Sequence, residues 1–155
     1  ISEKIPTFEE FANASIEDIY GNEIIDAYER KVTSFESIIL INRGDNKFDI
    51  QKLPPLAQSI PILTSDVYDI NNDGYEDIVV AGNIYNTEVE TPRLDNQFAL
   101  VLISDKNSNY NVIGPDKSGL YLSGNTKSIK IIRNESPKLL VANNNSDLEV
   151  FELNK

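Results

Sequence analysis

Residues 66–83 read Asp-Val-Tyr-Asp-Ile-Asn-Asn-Asp-Gly-Tyr-Glu-Asp-Ile-Val-Val-Ala-Gly-Asn. Within this stretch, side chains that carry oxygen recur at alternate positions, at Asp69, Asn71 and Asp73, and Asp77 follows them. A calcium ion takes about six to eight oxygen ligands, and a short loop can supply them when alternate residues point inward. The spacing therefore predicts a calcium-binding loop.

The glycine in this loop supports the same interpretation. Gly74 permits a sharp bend that a Cβ atom would hinder, and the bend turns the carbonyl of Tyr75 toward the ion. Asn, Asp and Gly also form ordinary turns, but a turn alone does not account for Asp77. Three aspartates within nine residues, with no basic residue among them, favour a bound cation because like charges repel. The predicted ligands of one structural Ca²⁺ are Asp69, Asn71, Asp73, Tyr75 and Asp77.

The loop does not match the helix-loop-helix class of calcium site. That class needs a bidentate Glu at the twelfth position of the loop, which here is Val80. It also needs a helix after the loop, whereas residues 78–81 read Ile-Val-Val-Ala, a composition typical of a strand. We therefore expect the loop to connect the two strands of a β-hairpin.

The region after residue 34 has the pattern of successive β-strands. Apolar residues alternate with polar ones or form short runs, and Asn, Asp, Gly or Ser bounds each run. Short polar turns join most of the runs, as at 43–46 and 105–109, so the sheets are expected to be antiparallel and the fold mainly β. The segment 53–55, Leu-Pro-Pro, is typical of a linker. The predicted strands cover 36–42, 46–52, 62–69, 77–82, 98–104, 109–114, 127–133, 138–143 and 147–153.

Residues 1–34 are predicted to form a short helical lead-in. Thr7 can open a first helix, and Ser15 is a suitable N-cap for a second because acidic residues follow it. Gly21 interrupts the pattern, and an apolar stripe over 24–32 predicts that the helix resumes. Aromatic residues at helical spacing are expected to pack as core. These are Phe8, Phe11, Tyr20 and Tyr28.

The chain also contains a weak internal repeat. Residues 37–48 and 99–110 each consist of an apolar strand, a polar turn and an aromatic residue that opens the next strand. The offset of 62 residues between Phe48 and Tyr110 suits a four-stranded unit with one long loop. The stretch 84–97, rich in Asn, Thr and Glu, is the predicted long loop.

At the calcium loop and its neighbours the sequence resembles the FG-GAP, or VCBS, repeat family, and more narrowly the C-terminal region of large Bacteroidetes surface proteins related to cartilage acidic protein. The other matching stretches are 34–48, 53–54, 57–58, 81–83, 88–95, 118–121 and 140–145. The resemblance implies a β-propeller of antiparallel four-stranded blades. Residues 35–155 would form about two to two and a half blades of a larger chain, whose other blades would complete the last sheet. The competing possibility is a short independent β-domain in which the helical lead-in covers that edge.

One metal site is expected rather than several. The turns at 43–47 and 105–109 lack the full series of acidic residues. The Asn-rich turn at 143–147 has no glycine at the bend and no closing acid, so it is interpreted as a hairpin turn.

Composition narrows the possible partners. With 14 basic and 25 acidic residues, the net charge of −11 argues against nucleic acid as a partner. The chain has no Cys for disulfides and no His for histidine-dependent catalysis. No apolar stretch approaches the roughly 20 residues of a transmembrane helix. Free calcium is plentiful outside cells, so we expect an extracellular or cell-surface location. The resemblance to Bacteroidetes surface proteins implies, more narrowly, the exterior of a bacterial outer membrane.

These observations favour a binding or scaffold module for a protein or glycan, without enzymatic activity. The long loop would supply the partner-binding residues, which are Glu88, Glu90, Arg93 and Asp95. The alternative is part of a calcium-dependent polysaccharide lyase or glycosidase, in which carboxylates and an arginine of the same loop would handle the sugar. A third interpretation is that Arg93 and Asp95 only brace the loop.

Overall fold

The computed structural model of the protein describes residues 3–105, 107 and 109–154. The chain divides into two compact units, Ile1–Phe35 and Glu36–Lys155. The boundary lies one residue after the end of the predicted lead-in. Part of the predicted turn 105–109, at positions 106 and 108, lies outside the described residues.

From residue 3 onward, the first unit contains three short helices. Helix α1 is Phe8–Asn13, helix α2 is Ile16–Tyr20, and a 3-10 helix follows at Gly21–Ile24. Both α-helices begin with a capping box. In the first, the Thr7 hydroxyl accepts the N–H of Glu10 at 3.2 Å, and the Glu10 carboxylate accepts the N–H of Thr7. The two predicted helix starts are therefore confirmed.

Two other predictions for this unit are wrong. The helix does not resume over 24–32, because residues 28–35 have no regular secondary structure. The aromatic residues do not form a core either, since no residue of α1 or α2 is buried and Phe8 is 96% exposed. Helices of five and six residues are too short to bury a continuous apolar stripe. The exposed aromatic side chains are those of Phe8, Phe11, Tyr20 and Tyr28.

In its described residues, the second unit has nine strands in three antiparallel sheets. The strands are β1 Ile38–Gly44, β2 Lys47–Lys52, β3 Thr64–Tyr68, β4 Asp77–Ala81, β5 Leu100–Ser104, β6 Tyr110–Ile113, β7 Thr126–Ile132, β8 Lys138–Asn143 and β9 Glu149–Glu152. Their orders are β1-β2, β3-β4-β5-β6 and β7-β8-β9, so within each sheet the neighbouring strands are consecutive in the chain. The mainly β, antiparallel prediction is confirmed. The described strands do not close into a barrel or a propeller.

Two short helices lie between the sheets, and the sequence did not predict them. Helix α3 is Pro55–Gln58 and helix α4 is Pro115–Ser118. The last residue of the segment interpreted as a linker, Pro55, is thus the first residue of α3, where a proline suits the first helical turn. The amide of Gln58 fixes α3 beside β1, since its Oε1 accepts the N–H of Ser37 at 2.8 Å.

The order strand, strand, short helix, strand, strand occurs twice along the unit. The elements β5, β6, α4, β7 and β8 each begin 60 to 63 residues after β1, β2, α3, β3 and β4. This spacing agrees with the offset seen in the sequence.

The four-stranded sheet is buried on both faces because its central strands are almost continuously apolar. Val79 and Val101 point to one side and pack with Ile131 and Val141 of the third sheet. The alternate residues point to the other side and pack with Ile39 of β1 and with the segment that contains α3. The middle sheet therefore lies between the other two.

Side chains of β3 also hydrogen-bond to the backbone of β7. The hydroxyl of Thr64 accepts the N–H of Ile129 at 3.1 Å, and Asp66 accepts the N–H of Ile131 at 2.7 Å. Arg133 donates in turn to the carbonyl of Val67 at 2.6 Å. These bonds fix the second sheet against the third.

Candidate functional site

The predicted calcium loop lies where the sequence placed it, between two strands of a hairpin. The last pair of the β3-β4 ladder is Tyr68 with Asp77, and residues 69–76 join them. Two of these residues have left-handed backbone, Asn72 with φ 57° and Gly74 with φ 89°. Asn and Gly are the residue types that adopt this conformation at low cost.

The loop is folded around the side chain of its first residue. The carboxylate of Asp69 accepts the N–H of Asp73 at 3.0 Å and the N–H of Gly74 at 2.9 Å. Asn71 accepts the same Asp73 N–H through Oδ1 at 3.1 Å, and Asp73 accepts the N–H of Tyr75 at 3.0 Å. The second oxygen of Asp73, Oδ2, accepts from the Asn71 amide at 3.3 Å. The first three predicted side-chain ligands therefore hydrogen-bond to the loop backbone and to one another.

Asp77 has a different environment from the other predicted ligands. Its side chain is completely buried. Oδ2 accepts the N–H of Ile70 at 2.9 Å, and Oδ1 accepts the N–H of Ser104 at the end of β5 at 2.9 Å. Asp77 thus ties the loop to the neighbouring strand, a structural role that the sequence analysis missed.

The loop has the donor set of a cation site, although its side chains are not gathered around one point. No group of three or more acidic side chains among the described residues is arranged to hold a metal. None of the ion pairs in the described part of the chain involves Asp69, Asp73 or Asp77. A carboxylate has about four lone-pair positions, so each of the three keeps acceptor capacity beyond its backbone hydrogen bonds.

The long loop folds back on itself through one bridge and one cluster of side chains. Ile84 and Leu94 form an isolated antiparallel bridge. Beside it, the Tyr85 hydroxyl donates to Asp95 at 3.1 Å, and Arg93 pairs with Asp95 at 2.7 Å. The Arg93 guanidinium also lies 4.6 Å from the centre of the Tyr85 ring. Burial, together with the hydrogen bond to Asp95, raises the pKa of Tyr85 above its ordinary value.

The structure brings together two of the four predicted partner-binding residues. Arg93 and Asp95 bind each other. Glu88 and Glu90 are exposed on either side of Val89, which is fully exposed, and neither glutamate forms an ion pair with a described residue.

A residue that the sequence analysis passed over anchors the base of this loop. Asn83 is buried, its Nδ2 donates to the carbonyl of Gly124 at 2.8 Å, and its Oδ1 accepts the N–H of Asn96 at 3.0 Å. Lys127 donates to the carbonyl of Asn83 at 2.8 Å. An asparagine placed directly after an apolar strand and a glycine is the signal that could have identified it.

Comparison of the chain with protein-family models, with curated proteins and with solved structures finds no match. Within the part of the chain that the structure describes, every helix is too short or too polar to cross a bilayer.

Proposed function

We propose that this chain is a calcium-stabilised β-propeller segment of the FG-GAP/VCBS type that acts as a binding or scaffold module on the outside of a bacterial cell. The observation that carries the proposal is the loop 69–77. It combines alternating oxygen side chains, two left-handed residues and three aspartates that have no ion-pair partner among the described residues.

The role of the ion is structural. A cation at Asp69, Asn71, Asp73, Asp77 and the carbonyl of Tyr75 would neutralise the loop and hold β3 to β4. It would add stability by mass action, since the unfolded loop binds the ion poorly. With a net charge of −11, the chain also gains from neutralising two charges.

The arrangement of sheets supports the propeller part of the proposal. The middle sheet has the four antiparallel strands of one blade, with sheets packed on both its faces. The first sheet corresponds to the two outer strands of a preceding blade, because β1 and β2 occupy the positions of β5 and β6 in the 60-to-63-residue spacing.

The outer faces of the first and third sheets are partly apolar and exposed, which favours a partner that packs another sheet against them. Leu40 and Ile50, which are cross-strand neighbours, are 56% and 70% exposed. On the third sheet Val150 is 52% exposed beside Leu140. Apolar sheet faces of this kind mark interaction surfaces, and further blades of the same longer chain are the proposed partners.

The long loop is the proposed surface for an external partner. Arg93 and Asp95 hold the loop in place through their contacts with each other and with Tyr85. Glu88 and Glu90 lie between these contacts in the chain and are exposed to solvent. Since Arg93 and Asp95 are paired with each other, they fit a positioning role better than catalysis, and we propose a module without enzymatic activity.

Thermal unfolding with and without calcium tests the proposal. We expect millimolar Ca²⁺ to raise the melting temperature, because occupancy at about 100 times the dissociation constant adds about 2.7 kcal/mol. Asp73→Asn should remove most of this increase, and Asp147→Asn, a control at an exposed turn aspartate, should keep it. An unchanged melting temperature of the native chain at 10 mM Ca²⁺ would overturn the calcium site.

A further inference from the structure

The first unit ends in an exposed segment that belongs to no helix or strand. Residues 28–37 have no regular secondary structure, and every residue from 25 to 36 is exposed. No backbone–backbone hydrogen bond joins residues 28–33, which we call the connecting segment, to another described residue. A protease can therefore bind the connecting segment in an extended conformation without first unfolding a helix or a strand.

The connecting segment contains two adjacent basic residues, Arg30 and Lys31. Neither forms an ion pair with a described residue. The Arg30 guanidinium lies 5.2 Å from the centre of the Tyr28 ring, a contact that is weak at an exposed position. Both basic side chains are therefore accessible to the acidic specificity pocket of a protease that cuts after Arg or Lys.

The described basic residues of the second unit are protected by its structure. Arg133 donates to the carbonyl of Val67 at 2.6 Å. Arg93 is paired with Asp95 at 2.7 Å. Cleavage at a structured position needs local unfolding, which lowers its rate. The other seven lie within strands or within α4, and they are Arg43, Lys47, Lys52, Lys117, Lys127, Lys130 and Lys138.

A cut in the connecting segment leaves the core of the second unit whole. The buried residues of both hydrophobic clusters lie between Leu53 and Val141. All nine strands begin after residue 37. The second unit is therefore expected to stay folded after such a cut, so that a stable fragment accumulates.

We propose that the connecting segment is a cleavage site for a protease of Arg or Lys specificity, which cuts after Arg30 or Lys31. The reaction is hydrolysis: the C–N bond of the peptide breaks, the carbonyl carbon gains the oxygen of water as a carboxylate, and the nitrogen becomes the amino group of the next residue. The cut releases the helical residues from a β unit that keeps the predicted calcium loop. This inference goes beyond the proposed function and does not depend on bound calcium.

Limited digestion of the full chain with trypsin, followed by mass spectrometry of the fragments, tests the inference. We expect fragments that begin at Lys31 or Val32 to accumulate. Bonds within residues 36–155 should be cut at least about tenfold more slowly, because they need local unfolding. The double variant Arg30→Gln and Lys31→Gln should keep residues 5–155 intact under the same conditions. Lys4→Gln, at another exposed basic residue of the first unit, should be cut like the native chain.

The melting behaviour of the purified fragment shows whether the second unit survives the cut. The fragment that begins at Val32 should unfold in a cooperative transition, because it retains both hydrophobic clusters. Three results would overturn the inference. They are cleavage within residues 36–155 at the rate seen after Arg30 or Lys31, degradation of the double variant as fast as the native chain, and a fragment without a cooperative transition.

Discussion

The carboxylate of Asp66 in β3 accepts the backbone N–H of Ile131 in β7 at 2.7 Å, although the two residues are 65 positions apart in the chain. Lys130 donates to the same carboxylate at 3.0 Å. Because Asp66 is buried, these bonds replace water and connect two sheets through one side chain.

Replacing this carboxylate should weaken the contact between the sheets. Asp66→Ala leaves the N–H of Ile131 without an acceptor, and we expect a loss of about 1 to 3 kcal/mol in the free energy of unfolding. Urea denaturation measures the loss. Glu135→Ala, at an exposed turn residue, is the control and should change stability by less than about 0.5 kcal/mol. Equal stability of the two variants would contradict the structural role of Asp66.

The same carboxylate should contribute to acid sensitivity. Burial raises the pKa of Asp66, but the hydrogen bonds from Ile131 and Lys130 outweigh it, and the pKa in the folded state lies below its ordinary value. A lowered pKa gives stability that is present above the unfolded value, about 3.9, and is lost as pH falls through the folded value. In Asp66→Asn the melting temperature should therefore fall less between pH 4 and pH 2. If the melting temperature of Asp66→Asn falls with pH as steeply as that of the native chain, Asp66 does not contribute to acid sensitivity.

Two aspartates of the predicted calcium loop should respond differently to substitution. Asp77 accepts the backbone N–H groups of Ile70 and Ser104. In Asp77→Asn the side-chain NH₂ would face one of these two N–H groups, so two donors would meet. We expect it to destabilise the chain by about 1 to 3 kcal/mol even in EDTA. Asp73→Asn keeps an acceptor for the N–H of Tyr75 and should lower stability only when calcium is present. Thermal unfolding in EDTA and in calcium distinguishes the two effects.

A close approach of two backbone segments explains why residue 82 is a glycine. A Cβ atom at this position would collide with the carbonyl oxygen of Pro61 and lie 2.7 Å from the backbone N of Leu63. Because backbone cannot move aside as a side chain can, Gly82→Ala should cost about 1 to 3 kcal/mol. Gly119→Ala, with open space but φ +71°, should cost about 1 kcal/mol. Chemical denaturation compares them, and a smaller loss at Gly82 would contradict the packing argument.

The strands could be predicted from the sequence because their signals are local. Alternation and polar turns located all nine, and the tight turn at Asp45 and Asn46, with φ 49° and 58°, uses residues that tolerate left-handed backbone. The stripe over 24–32 has helical spacing, but Ile25, Tyr28 and Val32 are exposed in the structure. Periodicity alone therefore gave a wrong helix prediction for 24–32, because short helices depend on packing for stability.

The site was only partly predictable for the same reason. Residue types and spacing located the loop 69–77 within a hairpin. The bond from Ser104 to Asp77, by contrast, spans 27 positions and follows from the pairing of β4 with β5.

The bonds between the second and third sheets have a consequence for folding kinetics. They join residues 64 to 66 positions apart, whereas strands within each sheet are consecutive in the chain. Closing long segments costs entropy, so local hairpins are expected to form first and the sheets to stack late. Stopped-flow measurements should then show that Asp66→Ala accelerates unfolding and leaves refolding almost unchanged. A single buried carboxylate would thus set how long the folded state survives rather than how quickly it is reached.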